Sequence, residues 1–117
     1  MQIRALIEAL MSFDILSARQ WVADAMRLRI SWSEVARPAD MDAEQLAVAA
    51  GVVELLAERC GQAPPSWTLD VGESPKRIYL VRAAESMPRL RKFCEQEGPE
   101  PLRRRQIMAP PEFLSVA

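Results

Sequence analysis

The sequence predicts an all-α protein, a compact bundle of about five helices with a proline-rich ordered loop and a C-terminal tail packed on the body. Three observations predict this class. Apolar residues recur at three- and four-residue steps over most of the chain, no segment shows the two-residue alternation of a strand, and proline and glycine cluster between the periodic segments. With 117 residues, half of them hydrophobic, the chain is long enough to bury one core. We therefore expect a single helical domain over residues 1–117.

Two amphipathic helices are predicted at the N-terminus. In the first, the apolar face consists of Ile3, Leu6, Ile7, Leu10 and Met11. The second repeats this spacing, with Ile15, Ala18, Val22, Ala25 and Met26 on its apolar face. Its first residue is open, because Ser12 or Asp14 fits a helix N-cap and Ser17 has capping-box spacing to Gln20.

The strongest predicted helix covers residues 42–60. Asp42 and Gln45 have capping-box spacing at its start, and Gly61 stands where a left-handed residue often ends a helix. Two prolines at residues 64–65 prevent continuation. Apolar residues form two rows along this segment, so we expect a central helix that is buried on more than one side.

The second half is predicted as an ordered loop, a helical segment and a tail. Residues 66–76 have no helical period, whereas residues 79–97 have one. Pro88 leaves two alternatives for the latter, a continuous helix or a short helix followed by a second that begins at Pro88, with Ser86 as N-cap. One more short turn is expected at residues 99–105. The apolar residues of the tail, 107–117, predict that it lies against the body.

Composition argues against several classes of function. The chain has no histidine, which removes catalytic histidine dyads and triads and most zinc sites. Its net charge of −1 argues against sequence-independent binding of nucleic acid. Cys60 and Cys94 lack CxxC spacing and are expected as buried thiols, which suits a cytoplasmic protein. Neither a signal peptide nor a membrane span is predicted, and no metal or cofactor is expected.

Three carboxylates share one face of the central helix. Glu44, Glu54 and Glu58 lie there with Ala47 and Gly51 between them. One interpretation is a solvent-exposed face. The other is a notch at Ala47 and Gly51 that admits another backbone, with acidic neighbours that suit a basic partner. A carboxylate-based enzyme using Glu54 or Glu58 is a weaker hypothesis, and the chain is predicted not to be an enzyme.

Positive charge is concentrated in the second half of the chain. Residues 1–60 hold 6 basic and 9 acidic side chains, whereas residues 61–117 hold 9 and 7. The densest cluster is Arg103, Arg104 and Arg105. Successive helical residues advance by about 100°, so these three cannot all bind one carboxylate or phosphate, although two can. Arginine beside apolar residues is typical of a protein-binding patch.

Two tryptophans are candidates for surface anchors. Trp32 and Trp67 lie in segments without helical period, and the alternative for each is that it covers a small core. The predicted partner-binding set combines charged residues with aromatic ones. Its members are Arg103, Arg104, Arg105, Trp67, Phe113, Glu54 and Glu58.

Several stretches of the chain carry a family resemblance. They are residues 18–25 (ARQWVADA), 53–59 (VELLAER), 64–68 (PPSWT), 100–107 (EPLRRRQI) and 109–114 (APPEFL). These stretches resemble small helical bacterial proteins encoded beside minimal nucleotidyltransferase genes of the toxin type. The resemblance covers the larger part of the chain, and its motifs are structural, without catalytic residues.

This resemblance implies an antitoxin or operon-partner role, with the neighbouring enzyme as target. We therefore expect a non-enzymatic antitoxin-like protein that binds a nucleotidyltransferase-type toxin and restrains it by covering its active-site cleft. The alternative is a small helical regulator that binds nucleic acid through the basic second half of the chain.

Overall fold

Five α-helices form the architecture of residues 2–115, the part of the chain that the computed structural model describes. The helices are α1 (Ile3–Met11), α2 (Ile15–Leu28), α3 (Ala43–Arg59), α4 (Pro88–Glu97) and α5 (Glu100–Arg103). Three 3-10 turns lie between them, at Trp32–Glu34, Ser66–Asp70 and Arg82–Glu85. The predicted all-α class is confirmed. Within residues 2–115, no helix combines the length and the apolar character needed to cross a bilayer.

Helix α3 is the centre of the fold. Every residue from Ala47 to Ala57 is buried. Asp42 and Gln45 form the predicted capping box, in which each side chain accepts a hydrogen bond from the other residue's backbone N–H. At the opposite end Gly61 has a φ of +66°, which glycine adopts without steric cost. The caps that the sequence predicts therefore fix both ends of the central helix.

Helix α1 packs against α3, and α2 packs along α1 after a short turn that reverses the chain, so that Trp21 Nε1 donates to the Gln2 oxygen at 3.1 Å. The Asp14 carboxylate accepts a hydrogen bond from the Ser17 backbone N–H at 3.2 Å, so α2 begins at Ile15 and Asp14 is its cap. Trp32 is 1% exposed, and its ring lies 6.3 Å from that of Trp21. Trp32 therefore belongs to the core, as one of the two alternatives for this residue predicts, and it is not a surface anchor.

The helical segment after the loop is divided, as one of the two alternatives predicts. A 3-10 turn covers Arg82–Glu85, and α4 begins at Pro88. The N-cap is Met87, whose backbone is extended, so the assignment of Ser86 as cap is wrong by one residue. An extended residue before proline is the expected geometry, because proline disfavours helical angles in its predecessor.

Two short strands join the loop to the tail. β1 (Ile78–Tyr79) pairs in parallel with β2 (Ile107–Met108), with Ile78 opposite Ile107. Strands of two residues are too short to show an alternating pattern, which explains why the sequence predicts none.

The tail lies against the body, as expected. Phe113 and Leu114 are 5% and 3% exposed. The Arg59 guanidinium at the end of α3 donates hydrogen bonds to the backbone oxygens of Phe113 at 2.5 Å and Pro111 at 3.2 Å. Residues 116 and 117 of the predicted tail lie outside the described residues.

Candidate functional site

The carboxylate of Glu54 binds two of the three clustered arginines. Glu54 is 6% exposed, and its Oε1 accepts hydrogen bonds from Arg105 and, at 2.7 Å, from Arg104. The two arginines are consecutive residues, and the third, Arg103, instead donates to the backbone oxygen of Gln96. Two of the three arginines do share one carboxylate, but the helical spacing used to predict this does not apply, because α5 ends at Arg103 and the two residues after it lie in a turn. The basic partner of Glu54 is thus part of the same chain.

Arg105 connects three segments of the fold inside the protein. Its side chain is buried and also donates to the backbone oxygens of Pro101 and Thr68, both at 3.0 Å. These bonds tie α5 to the Ser66–Asp70 turn and to α3. A buried ion pair is stabilising only when further hydrogen bonds satisfy its polar atoms. The two carbonyls satisfy the terminal nitrogens of Arg105, whereas its Nε is buried without a hydrogen-bond partner among residues 2–115.

The notch on α3 is occupied by α5. A Cβ built at Gly51 would lie 2.7 Å from Leu102 Cδ2 and 3.1 Å from the Pro101 oxygen. The close approach that the sequence predicts at Gly51 is therefore real, and the approaching backbone is internal. We call the group of Glu54, Arg104, Arg105 and the Thr68 carbonyl, which is buried except for Arg104, the Glu54 network.

The remaining predicted contact residues differ in what they offer a partner. Trp67 is partly buried and donates through Nε1 to the Val35 oxygen at 2.8 Å, and Phe113 belongs to the core. Glu58 is exposed, and Arg104 is 47% exposed. Three of the seven predicted residues, Glu54, Arg105 and Phe113, are thus buried, because they bind other parts of the chain.

A groove that the sequence does not predict lies beside the start of α2. It consists of two adjoining cavities of about 330 and 390 Å³, which share Ile15 and Val81 as lining residues. The first lies between the α1–α2 turn and residues 80–83, and the second lies between α2 and the tail residues 110–115. We call these two cavities together the α2–tail groove.

The lining of the α2–tail groove is mostly apolar, and its charged members are Arg19, Arg82 and Glu112. Ile15 is 37% exposed, and its neighbour Leu16 is 78% exposed. Arg82 lines the first cavity, with its guanidinium carbon 5.1 Å from the centre of the Phe13 ring, and Arg19 lines the second. Within residues 2–115, neither arginine forms an ion pair. The sequence places Ile15 on the apolar face of α2, which is expected to face the core. The sequence feature that could have indicated this surface is Leu16, a leucine that lies off that apolar face.

Several basic residues of the second half are engaged within the chain. Lys76 pairs with Glu44 at 3.6 Å, and Arg77 pairs with Glu95 at 3.4 Å. Arg91 donates to two backbone oxygens and lies over the ring of Tyr79. These contacts neutralise or fix the cations that a nucleic-acid interface would need.

The two cysteines lie in different environments. Cys94 is fully buried, and Cys60 is partly exposed, with its Sγ 3.3 Å from Met26 Sδ. Burial raises the pKa of the Cys94 thiol, and the neighbouring Glu95 charge adds to this effect. Among residues 2–115, no three histidine, cysteine or acidic residues are grouped as a metal site would require.

Alkylation should therefore distinguish the two thiols. Because the thiolate is the nucleophile, iodoacetamide at pH 8 should modify Cys60 before Cys94. Peptide mass spectrometry over a time course measures both rates in the native protein, and denatured protein serves as the control in which the difference should largely disappear. Faster modification of Cys94 in the native protein would contradict the described burial.

Comparison with family models, curated protein sequences and solved structures finds no match to this chain.

Proposed function

We propose that this chain is a non-enzymatic antitoxin-like protein that binds a nucleotidyltransferase-type toxin and restrains it. The observation that carries the proposal is the α2–tail groove with exposed Leu16 beside it. An apolar groove bordered by unpaired arginines is the composition of a protein-binding surface. Restraint follows if the bound chain covers the active-site cleft of the enzyme.

The residues that carry the family resemblance support this proposal. Glu54, Thr68 and Arg105 come from three of the resembling stretches, and they meet in the Glu54 network. These three residues therefore stabilise the inside of the fold. Arg19 and Glu112, from the other two stretches, line the α2–tail groove, so the resembling stretches contribute both to the core and to the proposed binding surface.

Binding of nucleic acid is the second candidate function, and the contacts do not favour it. Lys76, Arg77 and Arg91 are engaged within the chain. We therefore place the protein partner first.

Co-expression tests the proposed function. The chain should co-purify with the nucleotidyltransferase encoded beside it and should restore the growth of cells that produce this enzyme alone. A matched control is the same experiment with an unrelated nucleotidyltransferase, which the chain should neither retain nor neutralise. Failure of the two proteins to associate, with no rescue of growth, would contradict the proposal.

A further inference from the structure

We propose that the α2–tail groove binds an amphipathic acidic helix of a protein partner. Apolar side chains of this helix enter the two cavities, and its carboxylates pair with Arg19 and Arg82. The inference rests on the proposed function, because it names the chemistry of the partner segment that the chain recognises.

The apolar part of the groove sets the spacing of the partner's anchors. The two cavities adjoin at Ile15 and Val81, so a segment that follows the groove meets one and then the other. A helix presents apolar side chains at three- and four-residue steps along one face, which suits two consecutive cavities. Leu16 lines neither cavity, but it directly follows Ile15 and is 78% exposed, so it offers the partner a further apolar side chain next to the groove.

The arginines set the charge of the partner. Arg82 is held over the Phe13 ring, so its guanidinium is positioned before binding. Arg19 lines the second cavity and is exposed. A guanidinium binds a carboxylate with two parallel hydrogen bonds, which gives orientation as well as affinity. Two arginines along one apolar groove therefore select a segment with carboxylates beside its apolar face.

Nearby acidic groups leave both arginines available. The Asp14 side chain caps α2. Glu112 lines the second cavity, and Glu85 lies in the same 3-10 turn as Arg82. None of these carboxylates forms an ion pair with Arg19 or Arg82.

A second copy of the chain is a less suitable occupant. In a two-fold dimer the same patch lies on both sides of the interface, which would then hold two copies of Arg19 and Arg82. Like charges in an interface oppose association. The groove therefore favours a partner of different sequence.

Two pairs of matched variants test the groove in the complex with the nucleotidyltransferase. Leu16→Asp should weaken binding by about tenfold or more, whereas Leu69→Asp, which changes a leucine of similar exposure (79%) on the Ser66–Asp70 turn, should not. The double reversal Arg19→Glu/Arg82→Glu should weaken it by a similar factor, whereas Arg89→Glu/Lys92→Glu on α4, which changes the net charge by the same amount, should not. All these residues are exposed, and circular dichroism checks that each variant folds.

Synthetic peptides test the groove without the enzyme. The probe is a labelled helical peptide of leucine, alanine and glutamate of about five turns, and its control carries lysine in place of glutamate. Fluorescence anisotropy should show that the chain binds the acidic peptide more tightly than the lysine peptide. The Arg19→Glu/Arg82→Glu variant should instead bind the lysine peptide more tightly. Equal binding of both peptides, or no binding of the acidic one, would overturn the inference.

The two experiments separate the inference from the proposed function. A complex that forms but is indifferent to Leu16→Asp and to the double reversal would overturn the groove and leave the function standing. Peptide binding without any complex would support the groove and contradict the nucleotidyltransferase as target. A concentration-dependent dimer that Leu16→Asp abolishes, measured by sedimentation, would assign the groove to a second copy and overturn the inference.

Discussion

Replacement of Glu54 with alanine should lower the free energy of unfolding by about 3–5 kcal/mol, because it leaves the buried charge of Arg105 without its counter-ion. Arg104 is 47% exposed and can regain hydration, but Arg105 cannot, since only 6% of its side chain is exposed. Urea denaturation followed by tryptophan fluorescence measures the change. The loss should also loosen the Ser66–Asp70 turn, because Arg105 holds the Thr68 oxygen.

A neighbouring carboxylate provides the matched control. Glu58 lies one helical turn after Glu54 and is exposed, so Glu58→Ala should change stability by no more than about 0.5 kcal/mol. The double variant Glu54→Leu/Arg105→Met should recover part of the loss, since it removes both charges together. If Glu54→Ala and Glu58→Ala had equal effects, the Glu54 network would not contribute to stability.

Replacement of Gly98 with alanine should cost about 1–3 kcal/mol, because the added methyl group has no space. A Cβ at this position would lie 2.5 Å from the Cys94 oxygen and 2.6 Å from the Ala109 oxygen. Both are backbone atoms, so relief requires movement of the end of α4 or of the tail. Thermal unfolding followed by circular dichroism measures the effect.

Gly72→Ala is the control for this substitution. A Cβ at Gly72 meets nothing within 4 Å, so the change should be neutral or slightly stabilising, by up to about 1 kcal/mol. Equal losses for Gly72→Ala and Gly98→Ala would show that α4 and the tail do not pack as closely as described.

The sequence predicts those parts of the fold that depend on local signals. The ends of α3 follow from Asp42, Gln45 and Gly61, and its burial follows from two apolar rows. Pro88 identifies the start of α4, although it leaves the alternative of a continuous helix open. In each case the determining contacts lie within a few residues along the chain, so they are visible as spacing.

The fates of the charged residues depend on contacts that are distant in sequence. Arg105 and Glu54 are 51 residues apart, and the periodicity of neither segment indicates that they meet. The sequence does predict that two of the three clustered arginines can share a carboxylate. It does not show whether that carboxylate belongs to this chain or to a partner. The sequence therefore could not decide whether Glu54 is buried in an ion pair or lies on a solvent-exposed acidic face of α3.

The α2–tail groove was hidden from the sequence for the same reason. Its walls come from α2, from residues 80–83 and from the tail, and the parallel pairing of β1 with β2 brings the last two of these together. Leu16 is exposed and lies off the apolar face of α2. The position of this leucine is the local sequence feature that indicates the groove. The partner-binding proposal accordingly moves from the arginine cluster to Leu16, Arg19 and Arg82.

The most direct test of the proposed function is the affinity of this chain for the nucleotidyltransferase-type toxin that we propose as its partner. Titration calorimetry should show a saturable complex of one chain per enzyme, with a Kd of about 1 µM or tighter, which corresponds to about −8 kcal/mol. Inhibition of the enzyme should follow the same saturation curve. No heat of binding at concentrations about a hundredfold above that Kd would contradict the assignment of this protein as a binder of that enzyme.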